Sequence, residues 1–171
     1  MIIGDKENFG YECYHDPLKN ERRRVFGRMC VWAAGQVLGD ISEPACMLNV
    51  TEGHLQSLLA RMEALDEPLL SALGAREAFD FLDRALYLDD DRSNEQVTSD
   101  AERFFKFDFL TNGGESFDRT KSFIHRRDSQ LRILFVDDEG GFNSVLVGLS
   151  AFTLATKGFL AWVSAEGDNA G

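Results

Sequence analysis

The chain has 171 residues, 44% of them hydrophobic, and sets 29 Asp and Glu against 18 Lys and Arg for a net charge of −11. That length and apolar content suit one domain over residues 1–171, and fourteen Phe with two Trp are too much aromatic material for a disordered acidic tail. A surplus of negative charge repels nucleic acid and anionic membrane, so neither is an expected partner.

The N-terminus places Asp5, Lys6 and Glu7 where a secretory signal needs an apolar run, and no stretch is long enough to span a bilayer, so a cytoplasmic location is expected. Phe9 to Tyr14 alternates apolar and polar residues and reads as a strand, broken by His15-Asp16-Pro17. Arg22-Arg23-Arg24 precedes a second run, Val25 to Trp32, and Val37-Leu38 between Gly35 and Gly39 reads as a short return strand of a meander. Those three arginines suit a solvated lead into a strand better than an RNA-binding block beside so much negative charge. Cys13, Cys30 and Cys46 are odd in number and form no CxxC pair, which points to buried thiols rather than a disulfide framework or a zinc ribbon.

A helical segment is predicted next, over 51–88. Thr51 is its expected N-cap, and Leu55, Leu58, Leu59, Met62 and Leu65 recur at helical spacing until Pro68. A second helix runs from Ala75 to Leu88, with Ala78, Phe79, Leu82, Ala85 and Leu86 on one face and Glu77, Asp80, Asp83 and Arg84 towards solvent. From Asp89 to Glu102 only Val97 and Ala101 are apolar, so 89–102 reads as a long acidic loop. Strands are predicted again at Phe104 to Leu110, Ser122 to Arg126, Leu131 to Val136 and Phe142 to Leu149, with turns at Thr111 to Gly114 and Asp137 to Gly141. Ser150 caps a final helix whose buried face is Phe152, Ala155, Phe159, Trp162 and Val163, and Glu166 to Gly171 reads as a frayed tail. The expected fold is α+β: a mainly antiparallel sheet of about six strands, with the helical insertion and a C-terminal helix packed on one face.

The charge is localised. Residues 40–102 hold fifteen Asp and Glu against Arg61, Arg76, Arg84 and Arg92, a net of −11, while the flanks cancel. Asp80, Asp83, Asp89, Asp90, Asp91, Glu95, Asp100 and Glu102 are therefore the candidate binding residues for a basic protein partner. Carboxylates at the end of the second helix oppose its macrodipole, a small cost that fits charge kept for binding. Solubility alone is the competing explanation.

Catalytic signatures are weak. His15, His54 and His125 fall in no HxxxH or HExxH pattern, and no GxSxG, GxxxxGK[ST] or GxGxxG occurs, so no catalytic residue, metal or cofactor is expected. His125, followed by Arg126 and Arg127, has the residue types of a phosphodiesterase site, set against an ordinary histidine on a strand surface. Asp89-Asp90-Asp91 and Asp137-Asp138-Glu139 lack the alternating spacing of a calcium loop.

Met1-Ile2-Ile3-Gly4-Asp5-Lys6-Glu7-Asn8-Phe9-Gly10-Tyr11-Glu12 resembles the start of a group of bacterial polymorphic-toxin immunity proteins. Phe26-Gly27-Arg28-Met29-Cys30-Val31-Trp32 with Gly35 and Asp40 is similar to their second strand and turn. So is the close of the chain: Leu131-Arg132-Ile133-Leu134-Phe135, an acidic Gly turn, a strand and a Ser-capped helix. The resemblance implies a cytoplasmic antitoxin, of the contact-dependent growth inhibition type, that is not an enzyme. It would bind a cognate delivered toxin domain, commonly a nuclease, and occlude its active site. An acidic surface would then mimic phosphate against a cationic site. A non-catalytic adaptor for another basic protein is the alternative.

Overall fold

Alternation of buried and outward side chains along Phe9–Asp16 (β2) fixes the centre of the first sheet: Phe9, Tyr11 and Cys13 face the core, while Glu12 stands outside among Lys6, Tyr14 and Trp32. The computed structural model describes residues 1–17, 24–88, 90–137 and 139–169. Ile2–Gly4 (β1) pairs antiparallel with one edge of β2, and Phe26–Ala33 (β3) with the other. Gln36–Leu38 (β4) and Cys46–Met47 (β5) both pair with β3 at different points along it. Ala34 and Gly35, with φ of 48° and 77°, make the two-residue turn between β3 and β4. Of the basic block, Arg22 and Arg23 lie outside the described residues, and Arg24 is the first described residue before β3.

The second sheet is an antiparallel meander of Lys121–Arg127 (β6), Gln130–Val136 (β7) and Phe142–Gly148 (β8). The expected α+β class with antiparallel strands is present, its eight strands divided between sheets of five and three. Leu149–Asn169 (α5) follows β8 and packs on β1 and β2, stacking Phe159 on Tyr11 (4.8 Å between ring centres) and setting Phe152 at a tilt against Phe9 (4.7 Å). The helix comes very close to β1. A side chain at Gly4 would meet the Phe9 carbonyl at 2.4 Å and Ala155 Cβ at 2.8 Å, and one at Gly158 would meet Ile3 at 2.8 Å. Gly158, which weakens the intrinsic helicity of α5, is thus part of what lets it pack.

Leu48–Ala60 (α1) begins three residues before Thr51, behind Met47. Thr51 is not the N-cap; it is fully buried and its hydroxyl donates to the Gly113 carbonyl. Pro68, expected only as a stop, is the first residue of a short helix, Pro68–Ala72 (α2), where its missing N–H costs nothing. Ala75–Leu86 (α3) buries Ala78, Phe79, Leu82 and Ala85 as expected, with Phe79 edge-on to Phe123 (5.2 Å) and Phe142 (5.5 Å) of the second sheet.

Other expectations are overturned as well. The acidic segment 89–102 is not one loop, because Asn94–Phe104 forms a helix (α4) started by a capping box: Ser93 Oγ accepts from the Gln96 N–H, and Gln96 Oε1 accepts from the Ser93 N–H. Phe104 to Leu110 is not a strand. It finishes α4, turns through a 3-10 turn at Phe105–Phe107 and meets β6 at an Asp108–Phe123 bridge and through the Leu110 N–H, which donates to Ser122 Oγ, burying Phe104, Phe107, Phe109 and Leu110. Its aromatic content comes from core filling rather than from sheet pairing. The C-terminal tail is helical to Asn169, and no helix among the described residues is long and apolar enough to cross a membrane.

Candidate functional site

The acidic candidates among the described residues lie on a hairpin of α3 and α4 clasped by one arginine. Arg92 Nε donates to Asp90 Oδ1 (2.6 Å), and Nη1 to Asp100 Oδ2 (2.7 Å) and the Ala85 carbonyl (3.3 Å). Its Nη2 donates to the carbonyls of Arg84 and Leu88. These are carbonyls at the C-terminal end of α3, so the guanidinium both satisfies them and places a cation at the negative end of the helix. The expected conflict between carboxylates and macrodipole is thereby removed. Hydrogen bonds from Arg92, and then from Arg84, hold the Asp90 carboxyl below the usual carboxylate range.

Pairing divides the candidates. Asp80 is bridged by Arg76 one turn away (2.9 Å), Asp83 by Lys121 from β6, Asp90 by Arg84 and Arg92, and Asp100 by Arg92. Asp91, Glu95 and Glu102 are exposed and make no ion pair among the described residues. Glu95 and Glu102 are seven residues apart on α4, about 10 Å along one face. Asp89 lies outside the described residues. Phe104 is the only buried residue of α4, so nearly the whole helix faces solvent.

A second acidic site joins three parts of the chain. A cleft of about 520 Å³ is lined by Asp40 and Glu43 after β4, by Glu115 and Asp118 before β6, and by Asp137 after β7. Arg119 is its one lining cation, bonded to Asp40 Oδ2 at 3.2 Å. The Ser42 hydroxyl and N–H hold the Asp40 carboxyl below its usual range. Asp137 instead serves its turn, accepting from the Glu139 and Gly141 N–H groups and from the Asn143 amide. Gly39, with φ of 91°, lets the chain enter the cleft wall, where a side chain would strike the Phe117 ring at 2.6 Å.

A family model described as Immunity protein 42 matches residues 1–162. The chain belongs to the Immunity protein 42 family. The resemblance read from both ends of the sequence therefore holds over the middle as well, and the function is that of an immunity protein, which neutralises a toxin. The fold of this immunity protein is similar to that of CdiI, a contact-dependent growth inhibition immunity protein, from Burkholderia dolosa. That crystal structure aligns with a TM-score of 0.68 over 95% of this chain and 99% of its own, at 14% sequence identity. No curated protein matches the chain in sequence.

The three histidines of the immunity protein do not meet. His125 is not on a strand surface: it is wholly buried in β6, and burial pushes its pKa down to about 4. A neutral imidazole sealed from solvent has no route to a phosphodiester. His15 bonds Glu166 on α5 at 2.9 Å. His54 on α1 faces the buried Asp108 at 3.6 Å, where Tyr87 also donates to Asp108 Oδ1 (2.8 Å), so this group ties α1 and α3 to the segment before β6. The cleft was missed in the sequence. Each of its carboxylates sits in a polar turn, several of them beside a glycine or proline, which marks a loop but not which loops converge.

Proposed function

We propose that this immunity protein acts without catalysis, in the cytoplasm, by laying an acidic surface over the active site of a basic toxin domain, a nuclease. The observation that carries the proposal is α4, an acidic helix held in place by Arg92 and Ser93 whose Glu95 and Glu102, with Asp91 just before it, point no charge back into the fold. Paired carboxylates contribute little external field, so the candidate set narrows to these three, with Asp80, Asp83, Asp89, Asp90 and Asp100 in support. The cleft around Asp40, Glu115 and Asp118 adds a concave site of the same sign. A nuclease must be cationic where it holds phosphate, and matched potentials raise the association rate and exclude wrong partners.

The test is association kinetics with the cognate toxin domain. Asp91→Lys, Glu95→Lys and Glu102→Lys together should slow association by about tenfold or more at low salt, with a smaller difference at high salt and little change in dissociation. Unchanged association at low salt would remove α4 from the interface.

A further inference from the structure

Arg132, in the middle of β7, is only 8% exposed, and its Nε and Nη1 have no hydrogen-bond partner among the described residues. Burial is the main influence on this guanidinium, and the charged neighbour acting on it, Arg127, is also cationic. His125 stands directly across on β6 and is neutral, so it offers no countercharge. A buried guanidinium without an anion is costly, and the donors left open define what would relieve it.

Those two donors are themselves closed to solvent, so a partner group would have to come in over the neighbouring strand and shift the side chains that cover them. Across the strands, His125, Arg132 and Leu146 share one rung and therefore one face of the sheet, and Arg127, Gln130 and Gly148 share the next rung on that face. Leu146 is 43% exposed, and a Cβ added at Gly148 would meet nothing within 4 Å. Outside them runs an edge of the sheet, since among the described residues β8 pairs with β7 alone, although β3 comes near part of it. Edge strands are normally blunted by charge or proline, yet β8 reads Phe-Asn-Ser-Val-Leu-Val-Gly and has neither.

We infer that this edge of the second sheet receives an extended segment of the toxin, lying along β8 and delivering an Asp or Glu carboxylate over Leu146 and Gly148 to the Arg132 guanidinium. Backbone pairing along β8 supplies affinity, and the ion pair supplies register and selectivity. The site differs in sign and position from the acidic helix, so the toxin is held at two places by opposite charges. The inference rests on the toxin-binding reading and adds a contact that charge steering alone does not require.

The test uses the full chain and the cognate toxin domain. Arg132→Met removes the buried charge and keeps the apolar stem, so the free protein should melt no lower than the parent, while toxin dissociation speeds up by more than about tenfold. Gly148→Val leaves Arg132 untouched, narrows the approach and should weaken binding in the same way. Amide exchange along β8 should slow in the complex. Both variants binding as the parent does, with β8 amides unprotected, would overturn the inference. So would a parent protein that sediments as a dimer broken by Arg132→Met, because the occupant would then be a second copy. Loss of binding on reversing Glu95 and Glu102 with β8 variants unaffected would retain the acidic helix and discard this site.

Discussion

Buried ionisable side chains decide much of how this protein should respond to pH, and His125 is the clearest. Its pKa falls from an ordinary 6.5 to about 4 because burial penalises the imidazolium, with Arg132 and Arg127 adding to the effect and a hydrogen bond to the Arg126 carbonyl opposing it. The unfolded chain therefore takes up a proton near pH 6.5 that the folded chain refuses until about pH 4. Stability contributed by this group is complete above pH 6.5, is lost as the pH falls towards 4, and changes no further below that. The full loss is roughly 3 kcal/mol. Urea unfolding at pH 7 and pH 4.5 should show it, and His125→Leu should flatten the difference by most of that amount. An equal pH dependence in the variant would assign the effect to carboxylates alone. Cys13 and Cys30 have the opposite sign, since burial raises each thiol to about 12, so neither is a nucleophile at neutral pH.

At the scale of elements, α4 should open more easily than α3 or the sheets, because it buries one side chain and depends on its cap and on Arg92. Ser93→Ala should cost about 1 kcal/mol and raise amide exchange in α4 about fivefold, while exchange in β6 and β7 stays slow. Uniform acceleration across the protein would mean that α4 opens only with global unfolding. That dependence also explains why the sequence hid this helix. Val97 and Ala101 are too few to make an apolar stripe, and Ser93 with Gln96 is a short signal inside a polar run. Elements with one buried face were legible: β2 from its alternation, β3 from its apolar run, α3 from Ala78, Phe79, Leu82 and Ala85, β6 to β8 from runs between turns. Phe104 to Leu110 misled for the reverse reason, since a dense aromatic run matches a strand although here it fills the core through a turn. Of the candidate surface, the concentration of charge could be read from the chain, but its division into paired and unpaired carboxylates could not. Lys121 reaches Asp83 across 38 residues, and Arg119 reaches Asp40 across 79.

For the whole molecule, a net charge of −11 makes salt act in two opposite directions. Self-repulsion among surface carboxylates opposes the compact state, and it is strongest when the screening length is long, about 30 Å at 0.01 M salt against about 8 Å at 0.15 M. The free protein should therefore melt at a higher temperature as salt rises through that range. Association with a basic toxin depends on the same field reaching into solution and should slow over the same range. Arg132 lies against this trend, because a buried ion pair is screened far less than an exposed one. Dissociation should accordingly stay nearly constant while association falls, and calorimetric melting with surface-binding kinetics at matched salt would check all three. A melting temperature that drops with added salt would show that local pairs such as those of Arg92 and Lys121, rather than net repulsion, dominate the electrostatics of the folded state.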